Sequence, residues 1–138
     1  MIIADTSGLL ALFNNAESQH SAVARCLQSG DETIVASPFV VAELDYLVAT
    51  RLGVNAELSM LRELAGGAYE IANLSPADLD ACAAVVHKYA DQEIGVTDGS
   101  LVVLANRHRT RSILTLDRRH FGVVRPLDGG RFKLLPDR

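Results

Sequence analysis

The feature that most constrains the fold of this chain is the alternation of short apolar, β-branched runs with longer stretches of helical periodicity. Strands are predicted at residues 1–4, 33–36, 69–74 and 111–116, with a final edge strand at 131–135. Helices are predicted at about residues 7–13, 18–29, 38–52, 55–66, 76–89 and from 97 onward. Because strands that alternate with helices pair in parallel through right-handed crossovers, the sequence predicts an α/β protein with a mainly parallel central sheet in three α/β/α layers.

Capping signals mark several of the helix starts. Ser37-Pro38 and Ser75-Pro76 each place an N-cap hydroxyl before a proline at the first helical position. Asp78 follows Ser75 at the spacing of a capping box. Asn55 and Thr97-Asp98 are predicted to begin two further helices.

Length and composition indicate one globular unit. The 138 residues are expected to form a single domain spanning 1–138, with 49% hydrophobic and 22% charged residues. No apolar run approaches the roughly 20 residues of a membrane span, and residues 1–5 lack the basic start of a secretory signal. Cys26 and Cys82 have neither disulfide nor metal-ligand spacing, so we expect core thiols in a reducing cytoplasm. The four histidines show no paired spacing that would indicate a zinc site.

Charge is unevenly distributed along the chain. Residues 107–138 contain nine of the 13 Lys and Arg residues but only three acids, although the net charge of the whole chain is −4. A basic segment on an acidic protein could guide a polyanion. On charge alone, however, an ordinary solvated surface is the favoured interpretation.

Four acids lie beside segments that should be buried. Asp5 follows the first predicted strand and Asp117 follows the fourth. Since sites in parallel α/β sheets gather beyond the carboxyl ends of the strands, we expect both carboxylates in one crevice, with Asp98 within reach. Helical periodicity does not choose between Glu43 and Asp45, which lie near opposite edges of the apolar stripe. Taken singly, Asp5 and Asp98 could be only helix caps, and Asp117 only a turn residue.

Carboxylates that meet in a partly desolvated crevice repel one another and lose hydration. Either a proton or a divalent cation can compensate. Mg²⁺ and Mn²⁺ prefer oxygen ligands and usually take one or two carboxylates together with water and substrate phosphate oxygens. Such a site would support hydrolysis of a phosphodiester in RNA.

Four segments, in this order and spacing, resemble the PIN domain of the VapC toxin type over essentially the whole chain. They are Ile-Ala-Asp5-Thr-Ser, Ser-Pro-Phe-Val-Val-Ala-Glu43-Leu, Ile-Gly-Val-Thr-Asp98-Gly-Ser-Leu-Val-Val-Leu-Ala and Ile-Leu-Thr-Leu-Asp117-Arg-Arg-His-Phe. Each is short and degenerate alone, but together they are a strong match.

The resemblance implies roles for individual residues. Asp5, Glu43 and Asp98 match the metal-binding positions of the family, with Asp117 as the fourth acid, so Glu43 is preferred to Asp45. The small hydroxyl residue that often supports the first acid is matched by Thr6 or Ser7, and Thr115 lies near the fourth acid. The chain departs mildly from the family at Gly99, where a small helix former such as alanine is more usual.

The resemblance also implies an activity and partners. The expected protein is an endoribonuclease dependent on Mg²⁺ or Mn²⁺, the toxin of a toxin–antitoxin pair, active as a homodimer and inhibited by a cognate VapB-type antitoxin. The basic residues that could line an RNA path are Arg107, Arg109, Arg111, Arg118 and Arg119. With 5% aromatic residues and no Trp, RNA shape and backbone are expected to matter more than base stacking.

Two other classes of function are weighed against this one. A phospho-receiver-like binding module also holds Mg²⁺ among acids at strand ends, but it needs a lysine after a late strand. This chain offers only Lys88, inside a predicted helix, and Lys133, near its end. A DNA-directed nuclease or an inactive RNA-binding protein on the same fold is the third hypothesis, and the presence of all four acids argues against inactivity.

Overall fold

The computed structural model describes residues 1–137. Its strands are β1 (Ile2–Ala4), β2 (Ile34–Ala36), β3 (Tyr69–Ile71), β4 (Ser112–Leu114) and β5 (Lys133–Leu135). Its helices are α1 (Thr6–Phe13), α2 (His20–Cys26), α3 (Pro38–Leu52), α4 (Val54–Ala65), α5 (Pro76–Lys88), α6 (Val96–Arg107) and α7 (Arg118–Val123), with a 3₁₀ turn at Ala90–Gln92.

The strands form one sheet in the order β3-β2-β1-β4-β5, and every pairing is parallel. The prediction of a three-layer α/β fold is thereby confirmed, and the edge strand β5 joins in parallel as well. β1 is the central strand, so the residue that follows it is flanked by the ends of both neighbours. The Asp5 amide continues the ladder beyond β1 by donating a hydrogen bond of 2.8 Å to the Leu114 carbonyl.

The core is formed by the buried strand β1, by Ile113 and Leu114 of β4, and by the inner faces of the helices, above all α6. Gly8 shows how closely the layers approach. A Cβ at Gly8 would lie 2.5 Å from the Leu114 carbonyl oxygen, so α1 can pack on β4 only because this side chain is missing. This contact fixes the first turn of α1 against the sheet next to Asp5.

Two of the predicted helix starts are confirmed, and two are wrong by one or two residues. Ser37 caps α3, and Ser75 forms a reciprocal capping box with Asp78 on α5. In contrast, α4 begins after Gly53, whose φ of 93° lies in the left-handed region, rather than after Asn55. α6 is capped by Gly95, so Thr97 and Asp98 lie inside its first turn.

Other boundaries differ modestly from the prediction. α2 is shorter than the predicted 18–29. The six-residue α7 is too short to be predicted from periodicity, and Asp117 alone indicates only an acid at a strand end or a turn residue. In the part of the chain that the structure describes, no helix combines the length and apolar character needed to cross a membrane.

Candidate active site

A cavity of about 740 Å³ lies at the carboxyl edge of the sheet, and all four predicted acids line it. Asp5 follows β1, Glu43 lies on α3, Asp98 in the first turn of α6, and Asp117 at the N-cap of α7. Asp45 is absent from the lining of this cavity. The fold therefore brings together side chains that are far apart in the sequence.

Asp5 is the most deeply placed acid, only 7% exposed. Its Oδ1 accepts a hydrogen bond of 2.8 Å from the Thr6 amide, which makes it the N-cap of α1. Its Oδ2 accepts 2.7 Å from the Thr115 hydroxyl and 3.4 Å from the Ser7 hydroxyl. The capping role and the place in the cavity are thus compatible, and both oxygens are held in fixed directions.

Glu43 is more exposed than the other three acids, but it is held by hydroxyl groups from two other elements. The Thr6 hydroxyl donates 3.2 Å to Oε1, and the Thr97 hydroxyl donates to Oε2. Of the two hydroxyls considered for supporting Asp5, that of Ser7 contacts it, whereas that of Thr6 reaches Glu43. Together they connect the first turn of α1 to both carboxylates.

His120, which sequence analysis did not select, lies between the remaining two acids. Its Nδ1 is 3.0 Å from Asp117 Oδ2 and 3.4 Å from Asp98 Oδ2. It comes into the site because Asp117 caps α7 by accepting 3.0 Å from the His120 amide, one turn along the chain. The spacing of Asp117 and His120 was the available signal, but it indicates a contact only once α7 is known to be a helix.

The electrostatics reflect the crowding of acids. Burial raises the pKa of Asp5, opposed by the Thr115 and Thr6 hydrogen bonds and reinforced by the charges of Asp117 and Glu43. Burial also raises the pKa of Asp98 to about 6, and the three other acids add to the rise while His120 opposes it. Asp5 and Asp98 are therefore harder to ionise, both because they are buried and because the neighbouring acids are present.

The donor set suits a hard cation. Within residues 1–137, no three His, Cys, Asp or Glu side chains are placed to ligate one metal ion together directly. Mg²⁺, however, usually takes only one or two carboxylates and keeps several waters. The acidic cavity has room for a hydrated ion, and a cation there would relieve the repulsion that adds to the raised pKa values of Asp5 and Asp98.

The five arginines proposed for RNA binding are not brought together. Arg107, Arg109 and Arg111 line a different cavity at the opposite edge of the sheet. Arg118 points to the Pro136 carbonyl and Arg119 lies exposed on α7. None of the five lines the acidic cavity.

One cation that sequence analysis overlooked does line the acidic cavity. Arg51, at the end of α3, lies 3.8 Å from Glu17 and keeps 54% of its side chain exposed. No lysine is among the lining residues, and Lys88 and Lys133 lie on α5 and β5. The lysine that a phospho-receiver site requires is therefore missing from the described cavity.

The geometry of fold and site defines a family. The model of the PIN domain family matches residues 2–125 of the chain. The chain therefore belongs to the PIN domain family.

Its similarity to particular members places it among the VapC proteins. It is 59% identical to Ribonuclease VapC26 of Mycobacterium tuberculosis (strain ATCC 25618 / H37Rv) over 135 residues, covering 98% of this chain and 100% of that protein. The solved structure of VapC20 from Mycobacterium tuberculosis, a Sarcin-Ricin loop cleaving toxin, has the same fold, with a TM-score of 0.80 at 17% identity over 86% of this chain and 92% of that one. The solved structure of VapBC2 from Rickettsia felis, bound to a DNA fragment from its promoter, gives a TM-score of 0.69 at 19% identity, covering 97% of this chain and 98% of that one.

Proposed function

We propose that this protein is an endoribonuclease dependent on Mg²⁺ or Mn²⁺, and the toxin of a toxin–antitoxin pair. The observation that carries the proposal is the convergence of four acids, from four separate elements, on one cavity around the buried Asp5. The 59% identity to a protein named a ribonuclease gives the reaction class.

In this proposal Asp5, Glu43, Asp98 and Asp117 hold the metal ion, directly or through its water ligands. A bound divalent ion lowers the pKa of a water molecule and stabilises charge on the phosphodiester oxygens. The chain's own contribution is to keep the carboxylates oriented, so that the site does not have to reorganise when RNA arrives.

Hydrogen-bond donors supply that orientation. Thr115 and Ser7 fix Asp5, and Thr6 and Thr97 fix Glu43. His120 lies where its Nδ1–H can donate to Asp117 and attract Asp98. Each acid is thus restrained by a neighbouring element.

RNA must approach a cavity that carries negative charge. Arg51 is placed at this cavity with its guanidinium only loosely paired, so it can meet a phosphate next to the scissile bond. Arg118 and Arg119, which belong to the adjacent α7, remain candidates for contacts farther along the strand.

The proposal includes the partners implied by the family. A cognate VapB-type antitoxin would inhibit by directing an arginine at the acids, since a guanidinium satisfies carboxylates bidentately. The active form would be a homodimer in the cytoplasm, where the free thiols of Cys26 and Cys82 would stay reduced.

Cleavage of RNA by the Asp5→Asn variant tests the proposal. Wild-type protein is incubated with RNA in Mg²⁺, in excess chelator, and with DNA of matched sequence. We expect wild type to cleave the RNA but not the DNA, and only when Mg²⁺ is present. This cleavage should be lost in Asp5→Asn and kept in Asp80→Asn, a matched change on the exposed face of α5. Cleavage in chelator, or undiminished cleavage by folded Asp5→Asn, would overturn the mechanism.

A further inference from the structure

A second cavity, of about 730 Å³, lies at the other end of α6. Its walls are the last turn of α6, the segment leading into β4, and the loop after α7. Three arginines, Arg107, Arg109 and Arg111, line it against a single acid, Asp128. Because Arg111 immediately precedes β4, this arginine cavity lies at the amino edge of the sheet, away from the acids.

Two of the arginines are held in place. Arg111 donates 3.2 Å to Asp128, and a Cβ at Gly130 would lie 2.0 Å from Arg111 Nη1, so the glycine leaves room for the guanidinium. Arg107 donates 2.9 Å to the Asn73 carbonyl and 2.6 Å to Asp78. Their guanidinium groups are therefore oriented before any ligand binds.

Arg109 is different, because it makes no ion pair with any residue in the described range 1–137. It follows α6 with a φ of 52°. The Arg109 amide donates to Asn106 and the Thr110 amide to Ala105, the pattern of a Schellman motif, in which this left-handed position is usually glycine. An arginine in this left-handed position carries backbone strain that glycine would avoid, and its exposed guanidinium is free to meet a ligand.

We propose that the arginine cavity binds a backbone phosphate of the RNA substrate, at a distance from the scissile bond. This inference rests on the proposed ribonuclease function. Planar guanidinium groups match phosphate oxygens bidentately. Since Asp78 and Asp128 pair with the other two arginines, Arg109 gives the cavity its net positive charge. Its apolar lining is limited to Ala105 and Pro126, which offers little to the aromatic or aliphatic anchors of a protein partner.

The position of α6 connects the two cavities. Asp98 in its first turn lines the acidic cavity, and Arg107 in its last turn lines the arginine cavity. At ~1.5 Å per residue they are about 14 Å apart along the helix axis. The segment from Asp117 to Asp128 borders both cavities as well, so a folded RNA with one phosphate at the acids can place another at Arg109.

The Arg109→Gly variant gives a test in which folding and binding move in opposite directions. Because glycine relieves the left-handed strain, we expect the Tm to stay at or above that of wild type. The affinity for a labelled RNA hairpin of ~30 nucleotides should fall about tenfold at about 150 mM salt, and the slope of log Kd against log salt should fall by about 1. Fluorescence anisotropy in chelator measures this without cleavage. Arg62→Ala, the same loss of charge on the exposed face of α4, is the control and should bind as wild type does.

The outcomes separate this inference from the proposed function. Unchanged affinity and salt slope in Arg109→Gly, or no binding of the hairpin by wild type, would overturn it. If Arg109→Gly bound RNA normally but no longer bound the antitoxin, the cavity would be a site for an acidic protein segment, and the inference would also be overturned. Failure of Asp5-dependent cleavage in wild type would contradict the proposed function, while the binding result would stand on its own.

Discussion

Thr115 connects two of the acids: its hydroxyl donates 2.7 Å to Asp5 Oδ2 and accepts 2.9 Å from the Asp117 amide. The Thr115 side chain is fully buried, and its own amide donates to the Leu135 carbonyl of β5. The ends of β1, β4 and β5 are therefore joined at the most buried carboxylate of the site. A residue that touches no substrate is thus placed to control the direction of Asp5.

Thr115→Val tests this relationship, since valine has nearly the same shape but no hydroxyl. We expect kcat for RNA cleavage to fall roughly 10–100-fold, because Asp5 loses its shortest donor. The free energy of unfolding should fall by about 1–2 kcal/mol, because the Asp5 oxygen and the Asp117 amide lose a buried partner. Thr50→Val, at an exposed position of α3, should change neither. If Thr115→Val kept the kcat of wild type, the Thr115 hydroxyl would not be needed to orient Asp5 for cleavage.

Asp98→Asn should make the metal-free protein more stable. The pKa of Asp98 is raised from 3.8 to about 6 in the folded state, so ionisation of Asp98 disfavours folding. The penalty is absent below the unfolded pKa and complete above the folded one. At pH 7 we expect Asp98→Asn to gain about 1–2 kcal/mol after allowance for partial solvent exposure, and almost nothing at about pH 3.

Denaturation in chelator at several pH values measures this effect, and Asp80→Asn provides the exposed control. Saturating Mg²⁺ should stabilise wild type more than it stabilises Asp98→Asn, so the higher stability of the variant should disappear when the metal is bound. A gain from Asp98→Asn that is equal at both pH values would contradict the assignment to a carboxylate repelled by its neighbours.

Gly8→Ala should destabilise the protein and disturb the site together. The added Cβ would meet the Leu114 carbonyl at 2.5 Å, so α1 must move away from β4. We expect a loss of about 1–3 kcal/mol in the free energy of unfolding. Gly122→Ala, in α7 with no atom near the added Cβ, should instead gain about 0.5–1 kcal/mol. Equal effects of the two changes in urea denaturation would show that the close approach at Gly8 is not limiting.

His120→Asn should raise the pKa of Asp98 further. The imidazole lowers that pKa in wild type, and asparagine cannot carry a positive charge. Carboxyl NMR titration of metal-free protein measures the change directly. An unchanged or lower pKa of Asp98 in the variant would mean that His120 does not act on this acid.

The arrangement of the sheet could be predicted because local pattern and topology agree. β1 and β4 are short apolar runs, and Ser37 and Ser75 are unambiguous caps, so the positions of Asp5 and Asp117 followed from the carboxyl-edge rule. Glu43 was different, since periodicity left it equal to Asp45 until the family resemblance was used.

Three features of the site were beyond the sequence because they depend on tertiary distances. His120 reaches the acids only through α7, a helix too short to be recognised from periodicity. Thr97 contacts Glu43 because α6 begins earlier than its polar residues indicated. The arginines were grouped by closeness in the sequence, whereas α6 and β4 place Arg107, Arg109 and Arg111 at the opposite edge of the sheet from Asp117.

Titration calorimetry with Mn²⁺ tests the central claim most directly, namely that these acids form a divalent-cation site. The account predicts that wild type and Asp80→Asn bind Mn²⁺ equally, and that Asp5→Asn and Asp98→Asn bind it at least about tenfold more weakly while remaining folded. Equal affinity in all four proteins would contradict the account, because the cation would then be held elsewhere.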